Sequence, residues 1–512
     1  MGYTKKQSTA IRLVFLACLL AALLLLNLFA PNLYAFNLSY KNDEQIQAIP
    51  TEILPDAAAF ESTLPLIYLR SYEMDKLFPE WHWSPDGPSM PLREESKVDL
   101  YVFDRGCNHL TDVPTHVYTN SYMKLRGRTS SYMQQKKPFS LAFRDAETHR
   151  SVNMKLLSLP PASDFVFHAP YIDRSLIRNY VAYQLQHQLL DWAPDCQFAE
   201  VFVSPYDANV DMNHYIGVYL IVEKIKAGKN ALPLKDYIID PIDQFAGGGN
   251  FIYKRDAYEG GYDTAIRLPP TDSGNAYSLV YPKDITPRLP ADMPAEERAD
   301  ALTQQQLVID SIANELSVYD KALYEGTDLE LARYYDLHQF ARCMLIDELL
   351  KNMEGFTSSM YFYRAKGEQI KPIQWDFDIG TGNFDYQEDL SNAHGFYILA
   401  QPETLAFTQH ENFREILIEE WRTLRADGAP LSDSALLALL DGAEQQLEGA
   451  WQRNDDAYRP YDVSVFMNAE TIPFTDSAQE RIYIRNFLLE RGKWLDEHIH
   501  EVGALCEAEL AG

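Results

Sequence analysis

The chain has 512 residues, 46% of them apolar and 23% charged, which is ordinary for a globular protein and excludes a disordered or fibrous one. Its formal net charge of −29 is the opposite of a basic nucleic-acid-binding surface, so we expect no nucleic-acid partner. None of the five cysteines forms a CxxC pair, which argues against zinc. We expect free thiols, with a Cys107–Cys196 disulfide as the alternative.

The N-terminus begins with basic residues followed by an apolar run from Leu13 to Ala30. Such a run suits a membrane span or the core of a signal peptide. Because the basic flank stays inside, we expect the rest of the chain to face outside the cytoplasm. Residues 1–36 are therefore predicted to be a membrane anchor. The alternative is a signal peptide cleaved after Ala35, which would make the protein secreted.

The first half of the remaining chain is predicted to be mainly sheet. Residues 37–95 contain recurring prolines and few periodic runs, so we expect an irregular spacer there. A helix is predicted over 174–190, with Asp173 as its N-cap. Apolar residues predict strands at 98–104, 117–126, 138–144, 164–168, 198–204 and 215–222.

The second half is predicted to be rich in helices. Residues 285–330 are acidic and predicted to be helical and exposed. Asp336 with Gln339, and Ser477 with Glu480, have the spacing of capping boxes at two helix starts. A strand-rich lobe followed by a helix-rich lobe, with a ligand cleft between them, predicts a two-lobed α+β fold.

The segment Pro372–Ile379 alternates as a strand does, which places Asp376 and Asp378 on one face. Two neighbouring carboxylates repel each other unless a cation lies between them or both reach water. Oxygen-only ligands of this kind suit Mg²⁺ or Mn²⁺. An edge strand carrying two solvated acids is the alternative.

A polar loop, Lys351–Phe356, precedes this segment and is followed by a predicted hairpin. A helix, a polar loop with a carboxylate, a hairpin and a metal-binding acid follow one another in the order that protein kinases use. In that layout Glu354 orients or deprotonates the acceptor hydroxyl and Asn352 assists the metal. Plain capping of the preceding helix explains Lys351 and Asn352 equally well.

A basic turn at residues 124–130 is followed by Lys136 and Lys137. The backbone N–H groups of such a turn, with the hydroxyls of Thr129 and Ser130, can cradle phosphate oxygens, and a basic side chain cancels their charge. A solvated basic turn is the alternative. Further along, Gly217–Glu223 is predicted to be a buried strand ending in charge, where a kinase places the segment that meets adenine.

Taken in order, these segments resemble the spore-coat protein H (CotH) kinase family over roughly residues 97–500. The motifs that carry the resemblance are Arg126–Ser130 with Lys136–Phe139, Asp173–Asn179, Gly217–Glu223, Gly248–Ile252, Tyr281–Lys283, Lys351–Glu354 and Trp375–Asp378.

The resemblance implies a divergent kinase fold that uses ATP and Mg²⁺ or Mn²⁺ to phosphorylate Ser or Thr of proteins, such as coat or envelope proteins. It implies that Arg126 and Lys137 meet phosphates and that Glu223 lies at the nucleotide pocket. It also implies that Asp376 binds the metal, with Asp378 in a second role. We therefore expect nucleotide and a Ser/Thr protein substrate as partners, and the membrane through the N-terminal helix.

The domain boundaries follow from the resemblance. We expect a CotH kinase-like domain over 96–500, with an N-lobe over about 96–285 and a C-lobe over about 330–500. Residues 501–512 would form a tail.

Glu354 departs from the family, which usually has Asp there. A displacement on the scale of 1 Å can cost roughly 10²-fold in rate, so a pseudokinase acting in surface binding or assembly is the alternative. A hydrolase using Asp376 and Asp378 as an acid–base pair is a third reading. It is disfavoured because strand neighbours two residues apart fall near the low end of the roughly 5–10 Å that glycoside hydrolysis requires.

Overall fold

This computed structural model describes residues 51–79, 83–84, 87–88, 93–228, 231–234, 250–256, 265–282, 293–383, 391–462 and 474–505. The predicted anchor at 1–36 lies outside these ranges, as do Gly248, Gly249 and Lys283 of the motifs. No helix within the described ranges has both the length and the apolar sequence needed to cross a bilayer.

The described strands and helices together form a mixed α+β structure. The strands are β1 (Leu66–Ser71), β2 (Trp83–Ser84), β3 (Gly87–Pro88), β4 (Ser96–Phe103), β5 (His116–Leu125), β6 (Phe139–Phe143), β7 (Asp164–His168), β8 (Cys196–Pro205), β9 (Tyr215–Glu223), β10 (Phe251–Arg255), β11 (Ile266–Arg267), β12 (Ser278–Tyr281), β13 (Met360–Arg364) and β14 (Lys371–Gln374). The α-helices are α1 (Pro55–Ala58), α2 (Met74–Leu77), α3 (Thr129–Met133), α4 (Arg178–Leu189), α5 (Ala295–Tyr324), α6 (Asp328–Tyr334), α7 (Leu337–Leu350), α8 (Pro402–Thr408), α9 (Glu411–Arg425), α10 (Asp433–Gln446), α11 (Ala450–Tyr458) and α12 (Ser477–His498).

Seven strands close into a barrel in the order β1-β4-β5-β6-β7-β9-β8. Neighbouring strands run antiparallel, except that β1 and β8 are parallel. Alternate residues such as Leu100, Leu141 and Phe165 fill a common core. The alternation that predicts these strands therefore reflects a barrel wall with one face turned to this core.

Strand β1 lies within the segment that we expected to be an irregular spacer, so that expectation is wrong for residues 66–71. Both faces of this strand are buried. Ile67 and Leu69 contact the barrel core, whereas Leu66 and Tyr68 pack in a separate cluster with Phe202. Recurring prolines precede this strand and indicated irregular structure, although Leu66–Leu69 is a continuous apolar run.

A second sheet has the order β11-β12-β10-β13-β14 and is antiparallel throughout. Its residues Tyr253 and Leu279 share the largest hydrophobic core with Val181 of α4 and Phe340 of α7. Val218 on the outer face of the barrel belongs to the same core. Helices α4 and α7 therefore join the barrel to the second sheet, and the candidate site lies beside their ends.

Helix starts agree with the sequence less closely than strands do. Asp336 caps α7 by accepting the N–H of Gln339 at 3.1 Å. The Gln339 side chain accepts the N–H of Asp191 at 2.8 Å, so it is engaged with a distant loop. The last helix is capped by Asp476, which accepts the N–H of Gln479 at 2.9 Å, and Ser477 is already helical.

The cysteines that the structure describes form no disulfide. Cys107 is exposed and Cys196 is half-buried, and both are free, so the disulfide that we weighed as an alternative is absent. Cys343 is a buried thiol in α7, as expected for a small apolar side chain.

Candidate active site

The chain turns at Asp376, where the backbone adopts a left-handed conformation with φ of 68°. Strand β14 ends at Gln374, so the prediction of an alternating strand over 372–379 is wrong beyond that residue. The Gln374 side chain donates to the carbonyls of Ser358, at 3.0 Å, and Trp375, at 2.8 Å. Since left-handed geometry is costly for a residue other than glycine, the surrounding contacts must hold Asp376 in place.

Asp378 is held from the barrel side by two side chains. Its Oδ1 accepts a hydrogen bond from Nδ2 of Asn179 at 2.6 Å and lies 3.1 Å from Nε2 of His168. Asn179 also accepts the N–H of Phe377 at 3.0 Å. The first turn of α4 and the end of β7 therefore fix the position of the acidic loop.

His168 is buried beside this carboxylate. Burial alone lowers the pKa of an imidazole, but the charge of Asp378 and its hydrogen bond outweigh burial and raise the pKa of His168. The folded protein therefore favours the imidazolium, which balances one of the negative charges of the loop.

Arg178 connects the same loop to Asp173 and to the helix α12. Its guanidinium donates to Asp173 at 2.7 Å, to the carbonyl of Gly380 at 2.9 Å and to the hydroxyl of Thr381 at 2.8 Å, and it also pairs with Glu480. The side chains of Asp173, Thr381 and Glu480 are all buried. The loop after Asp378 is thus anchored through a buried ion network.

The predicted start of this helix is wrong, and the ion network supplies the reason. Helix α4 begins at Arg178, because the Asp173 carboxylate accepts the N–H groups of both Ser175, at 3.1 Å, and Arg178, at 2.8 Å. Leu176 between them is left-handed, with φ of 69°. Asp173 therefore shapes a turn before the helix instead of capping a helix that starts at residue 174.

Glu354 and Asp376 are half-buried carboxyl groups that disfavour each other's ionisation. Burial, together with the charge of Asp378, raises the pKa of Asp376 to about 6. Burial, together with the charge of Asp376, raises the pKa of Glu354 to about 8. The hydroxyl of Ser359 donates to Glu354 at 3.1 Å. Carboxylates that resist ionisation side by side are a setting in which a cation is favourable.

Arg126 faces this region from the end of β5. Its guanidinium carbon lies 5.7 Å from the ring centroid of Trp375, the residue before Asp376. Burial lowers the pKa of Arg126, and the charges that oppose this include Asp376. A basic side chain of the barrel therefore lies near the acidic loop that follows the second sheet.

A comparison of the whole chain with protein families shows which family it belongs to. The family model described as CotH kinase protein matches residues 123–495. The chain belongs to the CotH kinase family. Membership indicates a kinase-like function, and the matched range contains both the Arg126 turn and the Asp376 loop. The comparison with curated proteins found no match.

The basic turn of this CotH kinase family member contains a short helix. Thr129 and Ser130 open α3, and Gly127 before them is left-handed, with φ of 87°. A Cβ at Gly127 would lie 2.0 Å from the Ser130 hydroxyl, so the turn requires glycine. Lys137 donates to the carbonyls of Ser131, at 3.0 Å, and Gln134, at 2.6 Å. Its ammonium therefore holds the turn together, and burial lowers its pKa to about 8.

Lys136, the neighbouring basic residue, is wholly buried. Its ammonium donates to Asn454 of α11 at 2.7 Å and to the carbonyl of Val218. Gly217 allows this approach, because a Cβ there would lie 2.6 Å from the Asn454 side chain. The Gly217 motif therefore serves, at least in its first residue, to pack α11 on the barrel.

Glu223 lies at the opposite end of β7 from His168. It pairs with Phe165 in the sheet, and His168 lies three positions further along β7, which corresponds to about 10 Å. Its carboxylate lies 3.4 Å from the N–H of Asp195, and burial raises its pKa to about 7. The structure therefore does not bring Glu223 into contact with the Asp376 loop.

Asn352 and Lys351 follow α7 and have structural partners. Asn352 donates to the Asp376 carbonyl at 3.2 Å and to Asp347 at 3.0 Å, so it helps to hold the acidic loop. Lys351 is a left-handed C-cap, and its ammonium donates to the carbonyls of Asn392, at 2.6 Å, and His394, at 2.7 Å. The capping interpretation therefore describes Lys351, whereas Asn352 also contacts the candidate site.

The donor set suits a hard cation. Asp376 and Asp378 offer carboxylate oxygens, and the Asp378 N–H lies 3.4 Å from Oδ1 of Asp376, so the two residues are close. Asp376, Asp378 and Glu354 all lie in the described part of the chain but do not converge as a group of three within 4.8 Å. The residues therefore fit a magnesium-type ion held by one or two carboxylates, with other ligands supplied from elsewhere.

Two residues of the site were not singled out by the sequence. His168 ends a predicted strand, and nothing in its neighbourhood marks it as an ion-pair partner. Tyr183 lies inside α4 with its ring 5.6 Å from that of Trp375, and its hydroxyl is 3.5 Å from the Asp376 N–H. The Asp173–Asn179 motif was noticeable, but its role depends on contacts with residues some 200 positions away.

Proposed function

We propose that this CotH kinase family member is an ATP- and divalent-metal-dependent protein kinase. Its acceptors would be Ser or Thr residues of coat or envelope proteins outside the cytoplasm. The observation that carries the proposal is that Arg126 of the barrel lies near the half-buried Asp376, whose charge also acts on Glu354. Phosphoryl transfer requires positive groups for the phosphates and carboxylates for a metal and an acceptor.

In this proposal Asp376 is the principal metal ligand. Oδ1 of Asp378 is engaged by Asn179 and His168, so Asp378 assists through its remaining oxygen or by orienting the loop. When bound, Mg²⁺ or Mn²⁺ would neutralise charge on the phosphates. Mg²⁺ is commonly held in proteins by one or two carboxylates plus phosphates and water, which agrees with the small donor set.

Arg126 is proposed to contact the phosphates of ATP. The adjoining turn contains Thr129, Ser130 and Lys137. The Lys137 ammonium stabilises its backbone by donating hydrogen bonds to two carbonyls. Glu223 is kept as a proposed residue of the nucleotide pocket at the far end of the barrel wall. The N-terminal apolar run supports a protein that is anchored at, or exported across, a membrane.

Glu354 is proposed to face the acceptor hydroxyl, with Asn352 holding the adjacent loop. A carboxylate must be ionised to accept a proton, and burial together with the charge of Asp376 raises the pKa of Glu354 to about 8, which opposes that role unless a cation is bound nearby. This observation favours a second candidate function, a pseudokinase that binds nucleotide and acts in surface binding or assembly without transferring phosphate.

One assay separates the two functions. The purified chain is incubated with labelled ATP, Mg²⁺ or Mn²⁺, and candidate coat or envelope proteins. Asp376→Ala and Glu354→Ala are compared with Asp207→Ala, which removes an exposed carboxylate on the turn after β8. Transfer that is lost in the first two variants and kept in the third supports the kinase. Nucleotide-dependent stabilisation of the wild type without transfer supports the pseudokinase.

A further inference from the structure

Three potential metal ligands converge at a site away from the candidate active site. Glu61, Cys107 and His109 each present a ligand atom, and these atoms all lie within 4.8 Å of one another. Nε2 of His109 is 3.3 Å from the Glu61 carboxylate. Among the residues that the structure describes, this is the one group of three His, Cys, Asp or Glu side chains that meets this distance. The search for CxxC pairs in the sequence could not identify this group, because its ligands come from two separate segments.

The backbone holds these two segments in register. Ser62 and Asn108 exchange both backbone hydrogen bonds, at 3.0 and 2.8 Å, and form an antiparallel bridge. The buried Asn108 side chain also donates to the carbonyl of Leu64 at 2.8 Å. Antiparallel pairing of residues 62 and 108 places Glu61 opposite His109, and residues 107 and 109 share one face. The backbone bridge between Ser62 and Asn108 therefore brings the three side chains together.

The imidazole of His109 is oriented by a fourth residue. Its Nδ1 lies 3.5 Å from the Asp112 carboxylate, which also accepts the His109 backbone N–H at 2.9 Å. A proton on Nδ1 would face this carboxylate and leave the lone pair of Nε2 directed at Glu61 and Cys107. Metal-binding histidines in proteins are commonly held by a carboxylate in this way.

We propose that Glu61, Cys107 and His109 form a binding site for a zinc-type divalent cation. Thiolate, imidazole and carboxylate together suit Zn²⁺, and three protein ligands leave a fourth position for water. Tetrahedral bonds of about 2.1 Å place neighbouring ligand atoms about 3.4 Å apart, and the 3.3 Å between His109 and Glu61 matches that spacing. Cys107 and Glu61 are exposed, so their side chains can make the remaining adjustment of about 1 Å.

The site lies at the opposite end of β5 from Arg126. Cys107 and His109 are in the loop that leads from β4 into β5 at His116, whereas Arg126 follows Leu125 at the other end of β5. The strand between them spans about 30 Å. A bound cation would therefore tie the segment before β1 to the β4–β5 loop. It would stabilise the barrel without taking part in phosphoryl transfer.

Cobalt(II) provides a direct test, because a thiolate ligand gives it an intense charge-transfer absorption in the near ultraviolet. The full-length chain is titrated with Co²⁺ and then with competing Zn²⁺. We expect a thiolate band that Zn²⁺ removes and a tenfold excess of Mg²⁺ does not. The band should be absent in Cys107→Ser and present in Cys196→Ser, the matched control. A band that persists in Cys107→Ser, or no thiolate band in the wild type, would overturn the proposal.

Zinc-dependent stability gives a second readout that needs no activity. Zn²⁺ should raise the Tm of the wild type and of Asp376→Ala, but not of His109→Ala. Asp112→Asn should weaken Zn²⁺ affinity by about 10–100-fold, as expected for a residue that orients a metal-binding histidine. An equal Zn²⁺-induced shift in the wild type and His109→Ala would refute the site. Since Asp376→Ala is expected to respond, failure of the kinase proposal leaves this one unaffected.

Discussion

Nδ2 of Asn179 lies 2.6 Å from Oδ1 of Asp378, although 199 residues separate them in the chain. The same Asn179 accepts the N–H of Phe377 through its other side-chain atom. One amide therefore holds both the backbone and the side chain of the acidic loop. Because it donates to a carboxylate, this bond belongs to the stronger class of protein hydrogen bonds, worth about 1.5–3 kcal/mol.

We predict that Asn179→Ala lowers phosphate transfer at least tenfold, since the loop that carries Asp376 and Asp378 loses its link to α4. The exposed Asn412→Ala is the control and should keep wild-type transfer. Initial rates at saturating ATP and metal measure the effect. Equal rates in the two variants would show that Asn179 does not position the loop for transfer.

Asp376→Ala is predicted to abolish metal-dependent nucleotide binding, because it removes the principal proposed metal ligand. Asp376→Asn should do the same, and asparagine tolerates the left-handed backbone at this position better than alanine does. Thermal shift with ATP and Mn²⁺ measures binding. Unchanged nucleotide stabilisation in Asp376→Asn would remove the metal assignment.

Arg178→Met is predicted to destabilise the protein by about 3–5 kcal/mol, because it leaves the buried Asp173 and Glu480 without their shared cation. The exposed pair of Arg459 and Asp462 provides the contrast, and Asp462→Asn should cost no more than about 1 kcal/mol. Urea denaturation gives both free energies of unfolding. A small loss in Arg178→Met would mean that the buried network contributes little.

Glu354→Asp is predicted not to reduce transfer, since aspartate is the residue that the resemblance associates with this position. Glu354→Gln keeps the size of the side chain and removes the ability to accept a proton, so it should lose transfer if the kinase proposal holds. The exposed Glu419→Gln is its control. A large loss of phosphate transfer in Glu354→Asp would show that this site departs from the family geometry.

Asp347 should make stability depend on pH. Burial raises its pKa from 3.8 to about 8. Between these two values the folded protein keeps a proton on Asp347 that the unfolded chain has already released. The contribution of protonated Asp347 to the free energy of unfolding is therefore complete below about pH 4 and is lost as the pH rises toward 8. We expect Asp347→Asn to flatten the fall in unfolding free energy between pH 5 and 8. The exposed Asp427→Asn should follow the wild type, and a parallel fall in both variants would contradict the prediction.

Strands β5 and β6 were predictable because apolar residues alternate along them, whereas β7 and β9 are buried on both faces and were predictable from continuous apolar runs. Strand β7 has the predicted bounds, and β5 and β9 differ from theirs by one residue at one end or both. Strand β1 is buried on both faces as well, and it was missed because the recurring prolines of its segment indicated irregular structure. The start of α4 was misplaced because a carboxylate at Asp173 stabilises a turn that competes with the helix.

The candidate site was predicted in part. Asp376, Asp378, Glu354 and Arg126 were singled out in the sequence, and the structure places all four around one region. Their geometry was predicted incorrectly, because a strand pattern cannot anticipate a left-handed residue that distant side chains hold in place. Glu223 was proposed for the same pocket and lies about 10 Å further along the barrel wall.

The sequence by itself determined the elements whose periodicity is local, the order of the motifs, and membership of the CotH kinase family that those motifs indicated. Only the tertiary structure decided that His168 and Asn179 hold Asp378, that Arg178 anchors the loop behind it, and that Glu61 meets Cys107 and His109. The physical reason is that these contacts join residues tens to hundreds of positions apart, and their hydrogen bonds and charges override the conformations that each segment would favour alone.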